Sequence, residues 1–128
     1  MKMEQYSVTM IALAFYELAR YEVLYRCGGL RFVLRTMGQP RESGSDCSAG
    51  TDIHRALETA ICFYPKKIQC LQHSVVKTRL MRRYGLRAEA VIGYCRRPLQ
   101  CHAWVEVAGK SSNPLEGYQS MMVVLHRV

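Results

Sequence analysis

CLQHSVVKTRLMRRYGLRAEAVIGY, residues 70–94, changes its period in mid-course. Ahead of Gly85 the apolar residues Leu71, Val75, Leu80, Met81 and Tyr84 recur at three- and four-residue spacing, which predicts one buried stripe on a helix starting near Gln69 or Cys70. Gly85 suits the left-handed position that closes such a helix. Beyond it the period falls to two. LRAEAVIGY (86–94) alternates, CHAWVEV (101–107) alternates again, and CRRPLQ lies between them, which predicts a β-hairpin with a loop of about six residues.

Reading outward from this unit fills in the fold. TDIHRALETAICFYP (51–65) predicts a helix capped by Thr51 or Asp52 and stopped before Pro65, with Ile53, Leu57, Ala60 and Ile61 on its inner face and Cys62 as a small core residue. GQPRESGSDCSAG (38–50) has no apolar period and reads as a loop. From about Tyr6 to Met37, Met10, Leu13, Ala14, Leu18, Tyr21, Leu24 and Tyr25 keep helical spacing, with Gly28-Gly29 separating a long helix from a shorter one over 30–37. AGKSS (108–112) allows a tight turn and a short third strand, and MMVVLHRV (121–128) reads as a last strand. The expected class is α+β: N-terminal helices, then a core of one helix packed on a small antiparallel sheet. At 128 residues the chain is expected to be a single domain, with a helical lead-in and loop over 1–50 and the core over 51–128.

The net charge of +8 favours an acidic partner. The basic residues are dispersed, and Arg79, Arg82 and Arg83 already have a local role: they oppose the negative end of the helix dipole on what reads as a solvated face. No basic stripe interleaved with aromatics points to nucleic acid. The apolar run from Val8 to Tyr16 ends at Glu17 and is too short to cross a bilayer, and no signal-peptide pattern precedes it. The six cysteines at 27, 47, 62, 70, 95 and 101 therefore read as reduced thiols of a cytoplasmic protein. They contain no C-x-x-C pair, so neither a metal nor any other cofactor is expected. His54 and His73 read as surface residues.

A cysteine attacks as its thiolate, and the first turn of a helix favours that form through unpaired N–H groups and the positive dipole end. Cys70 has that address, and the N–H groups of Cys70 and Leu71 can serve a developing oxyanion. On strand 101–107, His102, Trp104 and Glu106 share one face. If the sheet packs on helix 70–84, a histidine at the start of the second strand can reach the helix start, which makes Cys70 and His102 a candidate pair. By spacing alone, such a histidine is more often a structural one.

The stretch CLQHSVVKTRLMRRYGLRAEAVIGYCRRPLQCHAWVEVAGK (70–110) resembles the leader peptidases of lasso peptide biosynthesis, which are transglutaminase-like cysteine proteases. The resemblance rests on Cys70-Leu71 with Ser74, on Arg83-Tyr84-Gly85-Leu86, on Ile92-Gly93 and on His102 through Glu106, in order and without insertions. The helical lead-in is similar to that family less specifically. The resemblance implies Cys70 as nucleophile and His102 as general base and acid. The family usually has Asn-Asp after this motif, the acid orienting the histidine; here Asn113 is followed by Pro114. Asn113 can hold the ring through its side-chain carbonyl, the alternative being no third member. Glu106 is two pleats from His102, roughly 13 Å by strand rise, too far to bond it. Trp104 either walls off water beside the site or is a plain core aromatic.

The implied reaction is hydrolysis of one peptide bond between the leader and core of a ribosomally made precursor, with a small polar pocket for a leader threonine. The family often places leader recognition on a separate small domain. This chain shows none, so the resemblance implies the split, protease-only form, with a separate leader-recognition protein and a lasso cyclase as partners. Two other classes remain: a non-catalytic escort for the precursor peptide, and an acyl transferase that delivers to an amine.

Overall fold

A computed structural model of the chain describes residues 2–37, 47–83, 87–96, 99–107, 110–111 and 123–127. Three helices come first, α1 (Lys2–Thr36), α2 (Cys47–Phe63) and α3 (Cys70–Arg83). Four strands follow, β1 (Ala88–Arg96), β2 (Leu99–Val107), β3 (Lys110–Ser111) and β4 (Val123–Arg127), in one antiparallel sheet of order β3-β2-β1-β4. The α+β class expected from the sequence is the one observed.

Met10, Ala14, Leu18 and Tyr21 form the buried stripe of α1, four residues or so apart, as the apolar spacing requires. The expected break falls at Gly29, whose φ of 70° and ψ of −167° interrupt an otherwise continuous α1. Only glycine adopts that conformation readily, so Gly29 lets the short last segment turn Val33 and Met37 into the core.

α2 begins earlier than the sequence suggests. Cys47–Gly50 are helical, so the start lies at Cys47 and not at a Thr51 or Asp52 cap; the rest of the expected loop, 38–46, lies outside the described residues. Ile53, Leu57 and Ala60 are buried as expected, whereas Cys62 is exposed. The helix stops at Phe63, two residues before Pro65, as a proline requires.

α3 is the centre of the fold. It packs on α1 and α2 on one side and on β1 and β2 on the other. Burial therefore extends well beyond the apolar stripe of Val75, Leu80 and Met81, taking in Gln72, Ser74, Lys77, Thr78, Arg79 and Arg82. Thr78 returns its hydroxyl to the Ser74 carbonyl at 2.8 Å, the usual way a β-branched hydroxyl is satisfied inside a helix.

Arg79 and Arg82, expected on a solvated face, are 8% exposed each. The apolar period shows which side of a helix is most buried, but not that a helix is covered on every side. Arg82 donates from Nε to the Ala88 carbonyl at 2.8 Å and from Nη1 to the Met37 carbonyl at 3.0 Å. Arg79 donates to the Val33 carbonyl at 3.3 Å and to the Thr36 hydroxyl. The bonds to Val33 and Met37 take up carbonyls at the end of α1 that the backbone ladder of the helix leaves over, the Val33 carbonyl also accepting from the Thr36 hydroxyl at 2.7 Å. Glu17, 1% exposed, lies among Arg83 at 3.0 Å, Arg20 at 3.6 Å and Arg79 at 3.7 Å, which supplies the counter-charge a buried guanidinium needs.

The hairpin ladder is longer than expected. β1 and β2 pair without a break from Ala88↔Val107 to Arg96↔Leu99, so most of the predicted six-residue loop belongs to the ladder. Cys95 opposite Gln100 and Arg96 opposite Leu99 extend the ladder, and backbone pairing of this kind leaves no mark in the side-chain alternation. Ala88, Ala90 and Val105 belong to the core shared with α3, so the odd-numbered face of β2 is the one packed on the helices. β3 and β4 form as expected, β4 pairing with β1 across a register shift at Ile92/Gly93.

Candidate active site

The start of α3 is defined by one bond: the His73 N–H donates to the Gln69 carbonyl at 3.0 Å. Gln69 is thus the cap and Cys70 the first residue inside the helix. The N–H groups of Cys70, Leu71 and Gln72 precede the first intrahelical bond and point out along the axis, at the positive end of the dipole. Cys70 is exposed and carries a free thiol, as do Cys27, Cys62 and Cys101. Cys70 is the first residue of α3, but a helix start does not single it out as the sequence suggested, because Cys47, expected in a loop, is the first residue of α2.

A cleft of about 250 Å³ opens beside this turn, lined by Tyr21, Tyr25 and Glu22 of α1, by Lys66, and by Leu71 and Gln72 of α3. Gln72 fastens the two helices together by donating to the Leu18 carbonyl at 3.3 Å. Tyr21 and Tyr25 stack, with ring centroids 6.0 Å apart. Burial first, then Tyr25 and then Cys70, raises the Tyr21 hydroxyl above its ordinary value, so it is a proton-bearing donor at neutral pH. At the far side Glu22 and Lys66 pair at 3.1 Å, and that hydrogen bond holds the Glu22 carboxyl below its ordinary value. The cleft thus offers a flat aromatic wall, a hydroxyl and charges of both signs. Sequence reasoning did not assign Tyr21 or Gln72 to the site. The four-residue spacing of Tyr21 and Tyr25 shows a shared face, but not that α3 lies against it.

His102 lies in β2 opposite Gly93 and is half-buried. Arg82 anchors the end of α3 at Ala88, and the helix from there back to Cys70 covers roughly 18 Å at about 1.5 Å per residue. From Ala88 to Gly93 the strand covers roughly 17 Å at about 3.4 Å per residue. The two spans are of similar length.

The face is different from the one expected. Unbroken pairing along β2 keeps His102 in step with Trp104 and Glu106, while the opposite face carries Val105 into the helical core. The sequence placed His102 at the start of the strand; with β2 beginning at Leu99, it sits three residues in. Among the described residues β3 pairs with β2 only at Glu106 and Val107, so His102 lies on a stretch of β2 that forms the outer edge of the sheet.

Trp104, 7% exposed, fixes that face. Its indole N–H donates to Glu106 at 3.2 Å, and its ring covers Gly93 so closely that a Cβ there would meet Trp104 Cη2 at 2.7 Å. Glycine at 93 is what lets the indole lie flat on the sheet next to the His102 position. Asn113 lies outside the described residues.

Among the described residues no helix is long and apolar enough to cross a membrane. No curated protein and no solved structure matches the chain at a significant level. The Transglutaminase-like superfamily does match, over residues 15–125, which takes in α2, α3, the hairpin and most of α1. That superfamily includes cysteine proteases and acyl transferases. The central helix headed by an exposed cysteine, packed on an antiparallel hairpin that carries a histidine, is what this match spans, and the chain belongs to the transglutaminase-like superfamily.

Proposed function

We propose that the chain is a cysteine peptidase that removes the leader from a ribosomally synthesised lasso peptide precursor. The observation that carries the reading is Cys70: an exposed thiol as the first residue of the central helix, beside an open cleft, in a superfamily that includes cysteine proteases.

The Cys70 sulfur attacks the carbonyl carbon of the scissile bond while its proton passes to His102. The N–H groups of Cys70 and Leu71 donate to the oxygen that gains charge. His102 then protonates the leaving nitrogen, the C–N bond breaks, and the acyl group stays on sulfur as a thioester. Water, losing a proton to His102, attacks that thioester, releases the carboxylic acid and restores the thiol. The reading requires the His102 ring to come over the outer edge of β2 toward the sulfur. Catalytic contacts that are long or misaligned without substrate commonly tighten in the complex. Asn113 would hold the ring through its side-chain carbonyl. The cleft formed by Tyr21, Leu71 and Gln72 is the candidate for the leader residues next to the cut.

The resemblance adds the partners. In this reading a separate protein recognises the leader, a lasso cyclase takes the freed core peptide, and the reaction runs in a reducing compartment such as the cytoplasm. Excess positive charge suits an acidic leader or partner, as steering more than as specificity.

The test is cleavage of the precursor encoded beside this chain, with its leader-binding protein present, followed by mass spectrometry. Cleavage at one bond, lost in Cys70→Ala, is the expected result. Precursor binding without cleavage would favour a non-catalytic escort. Formation of a hydroxamate in added hydroxylamine, with little free acid in its absence, would favour acyl transfer.

A further inference from the structure

His54 and Glu58 stand four residues apart on α2, and therefore on one face of that helix. His73 stands opposite them on α3, and the sequence alone gives no hint that these helices meet there. One ligating atom from each of the three side chains lies within 4.8 Å of the others. His73 Nε2 and Glu58 Oε1 are 2.7 Å apart, and the His54 and His73 rings are edge to face with centroids at 6.3 Å. His54 Nδ1 is buried with no hydrogen-bond partner among the described residues.

We propose that His54, Glu58 and His73 form a binding site for one divalent transition-metal ion of the zinc class, clamping α2 to the helix that carries Cys70. Two imidazoles and one carboxylate are a donor set for zinc, cobalt or nickel, with water completing the coordination. Calcium and magnesium, which prefer all-oxygen ligands, are disfavoured. The site is preorganised in the way such sites need: two ligands are fixed by one helix turn, and the third comes from a helix already packed on it.

Neutral imidazole is the ligating form. Burial first and then the charge of Lys77 lower the proton affinity of His54, with Glu58 opposing. Lys77 lies one turn beyond His73 on α3 and sets a limit on affinity, because its charge also repels the metal.

The site lies outside the proposed acyl-transfer chemistry, and its test does not depend on peptide cleavage. The full chain, with thiols kept reduced and no chelator, is titrated with Co²⁺ and followed by visible absorption and thermal unfolding. The expected result is one Co²⁺ per chain, ligand-field bands without thiolate charge transfer, and a raised unfolding midpoint. His54→Ala, Glu58→Gln and His73→Ala each weaken binding by about tenfold or more. Cys70→Ala and Cys62→Ala leave it unchanged. Circular dichroism identifies any variant that fails to fold, and Glu58→Gln keeps shape while removing the charge. Three results would each overturn the proposal: no binding by the folded chain, binding indifferent to all three substitutions, or a thiolate band that disappears with a cysteine.

Discussion

At its C-terminal end α3 is tied down on several sides, and at its N-terminal end it is left open. Arg79 and Arg82 reach carbonyls of α1 and β1, and Arg83 meets the buried Glu17. At the other end Cys70 is exposed beside a cleft, and among the described residues two side-chain contacts hold the first turn, Gln72 to the Leu18 carbonyl of α1 and His73 to Glu58 of α2. The difference shows how a small domain can present a reactive atom at a helix start. Most of the buried polar contacts lie roughly 13 to 20 Å away at about 1.5 Å per residue, so Cys70 itself need not be buried.

Substitutions should separate the two ends. Cys70→Ala and His102→Ala should each lower precursor cleavage by at least about 10³-fold, while leaving the urea unfolding midpoint nearly unchanged. At the anchored end, Glu17→Ala strands a largely buried Arg79. It should cost about 2–3 kcal/mol of unfolding free energy in urea, the half-exposed Arg83 and Arg20 softening the loss. If the two classes of variant prove alike in stability, the contrast between the ends fails. Two glycines give smaller effects. Gly29→Ala forces a side chain into a φ of 70° and should destabilise by about 1–3 kcal/mol. Gly93→Ala should do the same by lifting Trp104 from the sheet, seen as a change in indole fluorescence and in cleavage rate together.

The smallest effect is one of pH. In the folded protein His54 has a proton affinity below its ordinary value, so the unfolded chain takes up the proton first. Its contribution to stability is therefore present above the ordinary histidine pKa, near 6.5, and is lost as pH falls through that value toward the folded one. Wild type should lose more stability than His54→Asn between about pH 7 and pH 5, measured by urea unfolding in metal-free buffer.

The legible part of the fold was the part written in periods. Val75, Leu80 and Met81 gave α3 its inner stripe, and the change of period gave the hairpin. Proline at 65 stopped α2, and Gly29 marked the break in α1. What stayed hidden depends on how elements meet. Arg79 and Arg82 looked solvated because nothing in a helical period says that a helix is covered on every side. The loop of 95–100 looked real because ladder bonds belong to the backbone. His54 and His73 are distant in sequence and were read as separate surface residues. Of the site, Cys70 and its helix start were plain from the sequence, as was the strand that carries His102. The alternation along β2 was read correctly, with His102 and Trp104 on one face and Val105 on the other; what the alternation could not say is which face meets the helices, and that is the Val105 face.

The pairing of Cys70 with His102 is therefore the claim on which the function stands. The direct measurement is the rate of Cys70 alkylation by iodoacetamide at mildly acidic pH, mapped by peptide mass spectrometry in wild type and in His102→Gln. The account predicts selective labelling of Cys70 over Cys27, Cys62 and Cys101 in wild type, slowed about tenfold or more by the substitution. Equal rates in the two proteins, with Cys70 no faster than the other exposed thiols, would contradict it.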